Sequence, residues 1–287
     1  MREFSFVVLT YNEEIHLSKL IESIQKLNAP VYILDSGSTD STLKIAENFN
    51  TPVKSNKFEN HSKQWDYALR VFEVTTPWTI CLDADQIVSS ELFRKLEKFK
   101  DSGIPEDVNG IYFNRKNYFK GRWIKHGGYY PKYLLKMFRT GIGYADPNEN
   151  MDHRFIVPGK TIIWKDGHIK EENLKENAIS FWIDKHNRYS DLVAQEEIER
   201  REGIRNQIVT PKLFGSPDQR TACLKKIWWK LPLFVRPFIY LFYRFVIRLG
   251  FLDGWQGWMF HFLQGFWFRF IVDVKIKEKL ERTTSAE

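Results

Sequence analysis

The 287-residue sequence predicts an α/β fold built on a doubly wound parallel sheet, followed by a helical region of different character. Three observations carry this. Short apolar runs alternate with helical spacing through the first hundred residues, as in parallel sheets covered by helices on both faces. The run Trp78-Thr79-Ile80-Cys81-Leu82 ends in Asp83-Ala84-Asp85, at the carboxyl end of a strand, where open α/β sheets bind ligands. Beyond residue 219 the chain turns basic and aromatic.

Each element follows from its residues. Phe4–Thr10 is the first strand, and Tyr11-Asn12-Glu13-Glu14 follows it, with Asn12 as a candidate helix cap. Leu17, Leu20, Ile21, Ile24 and Leu27 repeat at helical spacing until Pro30. Val31–Leu34 is the second strand and delivers Asp35; Ser36-Gly37-Ser38-Thr39-Asp40 is a loop, and Asp40 caps the next helix. A short strand at Thr51–Val53 and a helix over about 62–71 lead to the strand with the two aspartates. Residues two apart in an extended chain point the same way, so Asp83 and Asp85 can reach one hard divalent cation. A solvated turn is the plainer reading of the tripeptide alone.

Composition sets further bounds. Two cysteines, Cys81 and Cys223, suggest neither a disulfide framework nor a zinc site. Met1-Arg2-Glu3 runs straight into a strand, so no signal peptide is expected. Residues 1–219 hold 31 basic and 31 acidic side chains, whereas residues 220–287 hold 12 and 5. The whole net charge of +7 therefore sits in the last quarter and points to an anionic partner.

Val8-Leu9-Thr10-Tyr11-Asn12-Glu13, Leu34-Asp35-Ser36-Gly37-Ser38-Thr39-Asp40-Ser41-Thr42 and Leu82-Asp83-Ala84-Asp85 together resemble the three opening motifs of family 2 glycosyltransferases, and the wider pattern resembles the bacterial lipopolysaccharide-core type. The resemblance covers about the first hundred residues. It implies the GT-A fold: residues 1–205 form the transferase, with 1–100 the nucleotide-sugar half and 101–205 the acceptor half. It also implies roles. Thr10, Tyr11 and Glu13 match the nucleotide loop, Asp35 the carboxylate that reads the base, usually uracil, and Asp83 the carboxylate near ribose and metal. Asp85 matches the principal ligand of Mg2+ or Mn2+ on the diphosphate. The family often has Glu directly after this motif; here it is Gln86. Lys63 stands near the family's phosphate-contacting pair, or at a solvated helix start. Glu149 or Asp152 matches the base that an inverting transfer needs, with Glu149 the better placed in sequence. His168 falls where such enzymes often place a late metal-approaching His, although a lone His is commonly structural.

The acceptor half reads as strands at 109–119 and 133–139 around a glycine loop, Gly121–Tyr130, which either approaches the donor sugar or merely turns. A long helix covers 179–201, and its density of donors at Lys185–Tyr189 suits acceptor or phosphate contact as well as plain packing. Residues 206–219 read as a linker. In 220–287, 17 aromatic residues lie between Trp228 and Phe270, and Arg236, Arg244 and Arg248 share one helical side. No apolar run reaches the length of a spanning helix. Amphipathic helices lying in a membrane surface are expected, with a buried helical subdomain or a dimer contact as the alternatives.

These readings combine into a metal-dependent inverting transferase on the cytoplasmic face of a membrane, peripheral and monotopic. It would take a nucleotide-sugar, expected to be UDP-linked, to a lipid-linked glycan. A rival acceptor is polyprenyl phosphate, already an anion and needing no base, so Glu149→Gln separates the two. A sugar nucleotidyltransferase would open on a glycine-rich loop, unlike Tyr11–Glu14. A non-enzymatic nucleic-acid or membrane binder is the remaining class, and the excess of aromatic over basic residues favours lipid over nucleic acid.

Overall fold

The structure is a computed structural model that describes residues 3–101, 103–145, 154–204 and 209–286, with side chains to 282. Two compact units emerge, one of Met1–Tyr118 with Pro131–Leu174, the other of Phe119–Tyr130 with Lys175–Glu287.

The first unit is a mixed sheet flanked by helices. Its parallel half comprises β1 (Phe4–Thr10), β2 (Val31–Asp35), β3 (Val53–Ser55) and β4 (Trp78–Asp83). The other strands are β5 (Gln86–Val88), β6 (Val108–Phe119), β8 (Lys132–Arg139) and β11 (Lys160–Glu171), and the order across the sheet is β3-β2-β1-β4-β8-β6-β11-β5. Beyond β4 the parallel sheet becomes a mixed one. β8 runs antiparallel to both β4 and β6, and β5 antiparallel to β11. A small pair, β9 (Tyr144–Ala145) and β10 (Phe155–Ile156), lies apart, and β7 (Arg122–Trp123) belongs to the other unit.

Burial explains the parallel half. Every residue of β1 is buried, because helices cover both faces. Leu17, Leu20, Ile21 and Ile24 of α1 (Leu17–Ile24) form the buried stripe read from the sequence. On the opposite face α3 (His61–Val71) sets Trp65 and Ala68 against Val7, Leu34 and Cys81. Asn60 caps α3, its side chain accepting the Lys63 N–H. Burial pushes the Cys81 thiol up, as befits a small core residue. Asn12 does not cap α1, which starts five residues later. It is left-handed, with φ of 53°, and it donates its N–H to Ser38 Oγ and accepts that of Thr39, both at 2.8 Å. Asp40 does tie down α2 (Thr42–Asn48), accepting the Thr42 N–H at 2.9 Å. The helix α4 (Ser90–Glu97) packs Leu92 and Leu96 into the core.

The second unit is helical. It contains α5 (Ile179–Arg201), α6 (Pro217–Lys230), α7 (Arg236–Phe242), α8 (Gly254–Phe262) and α9 (Phe268–Ala286), with wider π turns at Tyr243–Ile247 and Leu263–Trp267. Trp182, Ala194 and Ile198 of α5 bury against Phe268, Val272 and Ile276 of α9 and against Phe119 and Ile124. The long helix expected with residues 1–205 thus shares its core with the C-terminal helices. The expected linker is already helical at Pro217, where Ser216 and Gln219 form a reciprocal capping box.

Candidate active site

The first part of the site is the crossing from β1 and β2 into their loops. Asp35 is fully buried at the end of β2. One carboxylate oxygen accepts from Thr10 Oγ1 at 2.8 Å and Ser38 Oγ at 2.5 Å; the other accepts the N–H groups of Gly37 at 2.8 Å and Ser38 at 2.7 Å. Four donors fill the acceptor positions of a carboxylate. Asp35 therefore shapes the Ser36–Ser38 loop. Ser36, next in line, accepts from Gln64 Nε2 at 2.9 Å, and Gln64 in turn accepts from Asn56 Nδ2 at 2.8 Å. This link was not anticipated; its one trace in the sequence is a polar Gln64 beside the apolar Trp65.

Tyr11 is exposed beside this loop. Glu13 donates its N–H to Thr42 Oγ1 at 2.7 Å, and its carboxylate pairs with His16 Nδ1. His16 Nε2 accepts the N–H of Leu174 at 2.8 Å, which leaves the proton on Nδ1 for Glu13. Glu13 is thereby fixed as part of the loop's frame.

The second part is the end of β4. Asp83 and Asp85 are partly exposed while Ala84 between them is buried, the alternation expected of the tripeptide. The strand ends at Asp83, and Ala84 and Asp85 form a turn into β5. Lys136, on the antiparallel neighbour β8 and only 3 % exposed, donates to Asp83 Oδ2 at 2.9 Å. Trp65 and Phe155 flank its ammonium at 5.9 and 6.0 Å. A buried lysine with a carboxylate partner is a deliberate arrangement, since an unpaired charge there would be costly. Lys136 is the functional residue that sequence reasoning missed. Its only signal is a lone charge inside Tyr133-Leu134-Leu135-Lys136-Met137-Phe138.

Other expected members lie elsewhere. Lys63, exposed in the first turn of α3, pairs with Glu59 just before the helix. His168 lies 4.0 Å from Glu91, and burial, then Lys116, lower its pKa. Its backbone N–H is bound by Ser89 Oγ at 3.1 Å. Among the described residues no three His, Cys, Asp or Glu side chains gather as a cation site. Glu149 and Asp152 lie outside the described residues.

Two partly exposed carboxylates two residues apart suit a hard cation. Mg2+ in particular is bound through one or two carboxylates, the remaining positions going to substrate phosphates and water.

In the second unit the glycine loop is bound to the C-terminal helices. His126 donates its N–H to Asp253 at 2.9 Å, and its Nδ1 meets the other Asp253 oxygen at 2.6 Å. Gly127 has φ of 65°, and a Cβ there would lie 2.1 Å from the His261 ring, so this glycine serves close approach. The basic stripe is corrected here. Arg236 is fully buried and holds Glu197 through both terminal nitrogens, at 2.8 and 3.0 Å, and Asp273 through Nε at 2.8 Å. Burial opposes its charge, but the bonds from Glu197 and Asp273 win and raise its pKa. Arg244, 1 % exposed, binds the Gly127 carbonyl and His261. Of the three arginines only Arg248 is exposed.

The chain is similar to several known proteins. A lipopolysaccharide core biosynthesis glycosyltransferase, LpsC, of Rhizobium meliloti is 26% identical over 73% of this chain and 78% of its own length. An uncharacterized glycosyltransferase of Rickettsia felis is 22% identical over 98% of this chain and 91% of its own. The crystal structure of Staphylococcus aureus TarS residues 1–349 superposes with a TM-score of 0.46 at 14% identity, covering 98% of this chain and 92% of that one. The family model described as glycosyl transferase family 2 matches residues 5–155, more than half of the sequence and the whole stretch from β1 through the Asp83–Asp85 turn. The chain belongs to the family 2 glycosyltransferases, enzymes of the GT-A fold.

Proposed function

We propose that this glycosyltransferase is metal-dependent and inverting, and that it moves a sugar from a uridine diphosphate sugar to a lipid-linked glycan at a membrane surface, in the assembly of a cell-envelope polysaccharide. The observation that carries the reading is the Asp83–Asp85 turn at the end of β4, braced by buried Lys136. Asp85 and Asp83 would hold Mg2+ or Mn2+ on the donor diphosphate, and the ion would neutralise the charge of the leaving group as a Lewis acid. Thr10 and Asp35 hold the loop against which the nucleotide lies. The acceptor hydroxyl oxygen bonds to the anomeric carbon as the bond from that carbon to the diphosphate oxygen breaks. Glu149 or Asp152 takes the hydroxyl proton, and the nucleoside diphosphate departs with the bonding electrons.

The acceptor class rests on two supports. LpsC is named for lipopolysaccharide core biosynthesis. The second unit also carries exposed Phe238, Phe242, Ile247, Phe251, Trp255 and Trp258, far more apolar surface than a solvated helix pair needs. Exposed Lys226, Lys230 and Arg248 accompany them. Tryptophans beside basic groups suit the interfacial zone of an anionic bilayer. Among the described residues no helix is long and apolar enough to cross a membrane, so the proposed association is with the surface.

Two measurements test this. A panel of nucleotide-sugars with Mn2+, scored by thermal shift and donor hydrolysis, is expected to respond to uridine diphosphate sugars; a response to another base alone would overturn the donor assignment. Trp255→Ser with Trp258→Ser is expected to lower flotation with vesicles containing anionic lipid by about tenfold, since each indole buries apolar area worth more than 1 kcal/mol. Equal flotation of this variant and wild type would remove the membrane assignment.

A further inference from the structure

Gln86 stands directly after the aspartate pair, is 1 % exposed, and opens β5. Both ends of its amide are used. Oε1 accepts the backbone N–H of Asp83 at 3.1 Å, which closes the Ala84–Asp85 turn, and Nε2 donates to Glu171 Oε2 at 2.6 Å. Glu171 lies directly opposite Gln86 in the antiparallel register of β5 and β11. Its other oxygen accepts from Arg115 Nη1 at 2.6 Å. One residue on, the Glu172 N–H donates to the carbonyl of Asp85 at 3.2 Å. The turn is thus held by β11 at both ends, once through the Gln86 side chain and once through backbone.

We propose that Gln86 is a positioning residue, and that the chain Arg115–Glu171–Gln86 sets the orientation of the Asp83–Asp85 pair for its cation. The amide accepts from Asp83 and donates to Glu171 at once, which an ionised carboxylate cannot do. A carboxylate at 86 keeps the first bond and loses the second. It also sets two anions face to face, with a single guanidinium, that of Arg115, bonded to Glu171. The requirement is therefore for one amide and one acid across this rung. Which strand carries the acid is secondary: a Gln at 171 can donate to a Glu at 86 and still accept from Arg115.

This inference rests on the reading of Asp83 and Asp85 as cation ligands, and the experiment separates the two. Wild type, Gln86→Glu, the exchange Gln86→Glu with Glu171→Gln, and Asp85→Asn are compared. Mn2+ binding in the presence of UDP is read from the paramagnetic resonance of free Mn2+, and melting temperature is read without metal. Gln86→Glu is expected to weaken Mn2+ binding by about tenfold or more, the range typical of groups that orient metal ligands. The exchange is expected to return affinity to within about threefold of wild type and to restore the melting temperature. Wild-type affinity in Gln86→Glu, or an exchange no better than Gln86→Glu, would overturn the relay. Should Asp85→Asn bind Mn2+ like wild type, the cation reading itself fails. The relay is then decided by melting temperature alone, and it fails if the exchange does not restore it.

Discussion

Asp85→Ala is expected to cut sugar transfer by about a thousandfold, with a melting temperature close to that of wild type. The first part follows from the leaving group. A departing nucleoside diphosphate develops charge that water does not neutralise inside a closed site, and fixed positive charge there is worth several kcal/mol. Losing about 4 kcal/mol of it is a thousandfold in rate. The second part follows from exposure: Asp85 is partly exposed, in a turn held through its backbone carbonyl by the Glu172 N–H, which the substitution leaves in place. Asp83→Ala should behave differently. It strips the partner from a lysine 3 % exposed, so it should lower stability as well as rate. Transfer rates with saturating Mn2+, set beside thermal melts of both variants, check the contrast. Equal melting temperatures would show that Lys136 does not depend on Asp83.

The largest stability effect is expected at Arg236, far along the chain from these aspartates. Arg236→Ala leaves Asp273 of α9 buried without its cation and Glu197 of α5 with Arg201 alone. Breaking a buried ion pair from one side costs about 3–5 kcal/mol. Arg236→Lys should recover only part, because a lysine cannot present two parallel N–H groups to Glu197. Urea unfolding followed by tryptophan fluorescence reads this directly, since Trp182 lies in the same helical core. A loss below about 1 kcal/mol would mean that the pairing contributes little.

Arg236 also shows where the sequence was legible and where it was not. The parallel half of the sheet could be read because apolar runs, helical stripes and turn residues agree there. β5 has three residues, too few to show a period. The antiparallel placement of β8 depends on pairing between distant segments, and so did the discovery of Lys136. Its charge looks like an interruption until β8 is laid beside β4. The end of β2 marks Asp35 as a site candidate, but its hydrogen bonds depend on how residues 36–38 curl back over it. Arginines at helical spacing look the same whether they face lipid or a buried acid, and only the position of Glu197 and Asp273 on other helices decides. Gln86 was noted as a departure from the family's usual Glu; Glu171, its counterpart, is 85 residues away.

The central claim is that the aspartates ending β4 hold the cation that accompanies the donor diphosphate. Crystals soaked with UDP and Mn2+, measured for Mn2+ anomalous scattering, test it most directly. The account predicts one peak at about 2.0–2.3 Å from an Asp85 carboxylate oxygen, shared with diphosphate oxygens. A peak elsewhere, or bound UDP with both aspartates turned from the ion, would contradict it.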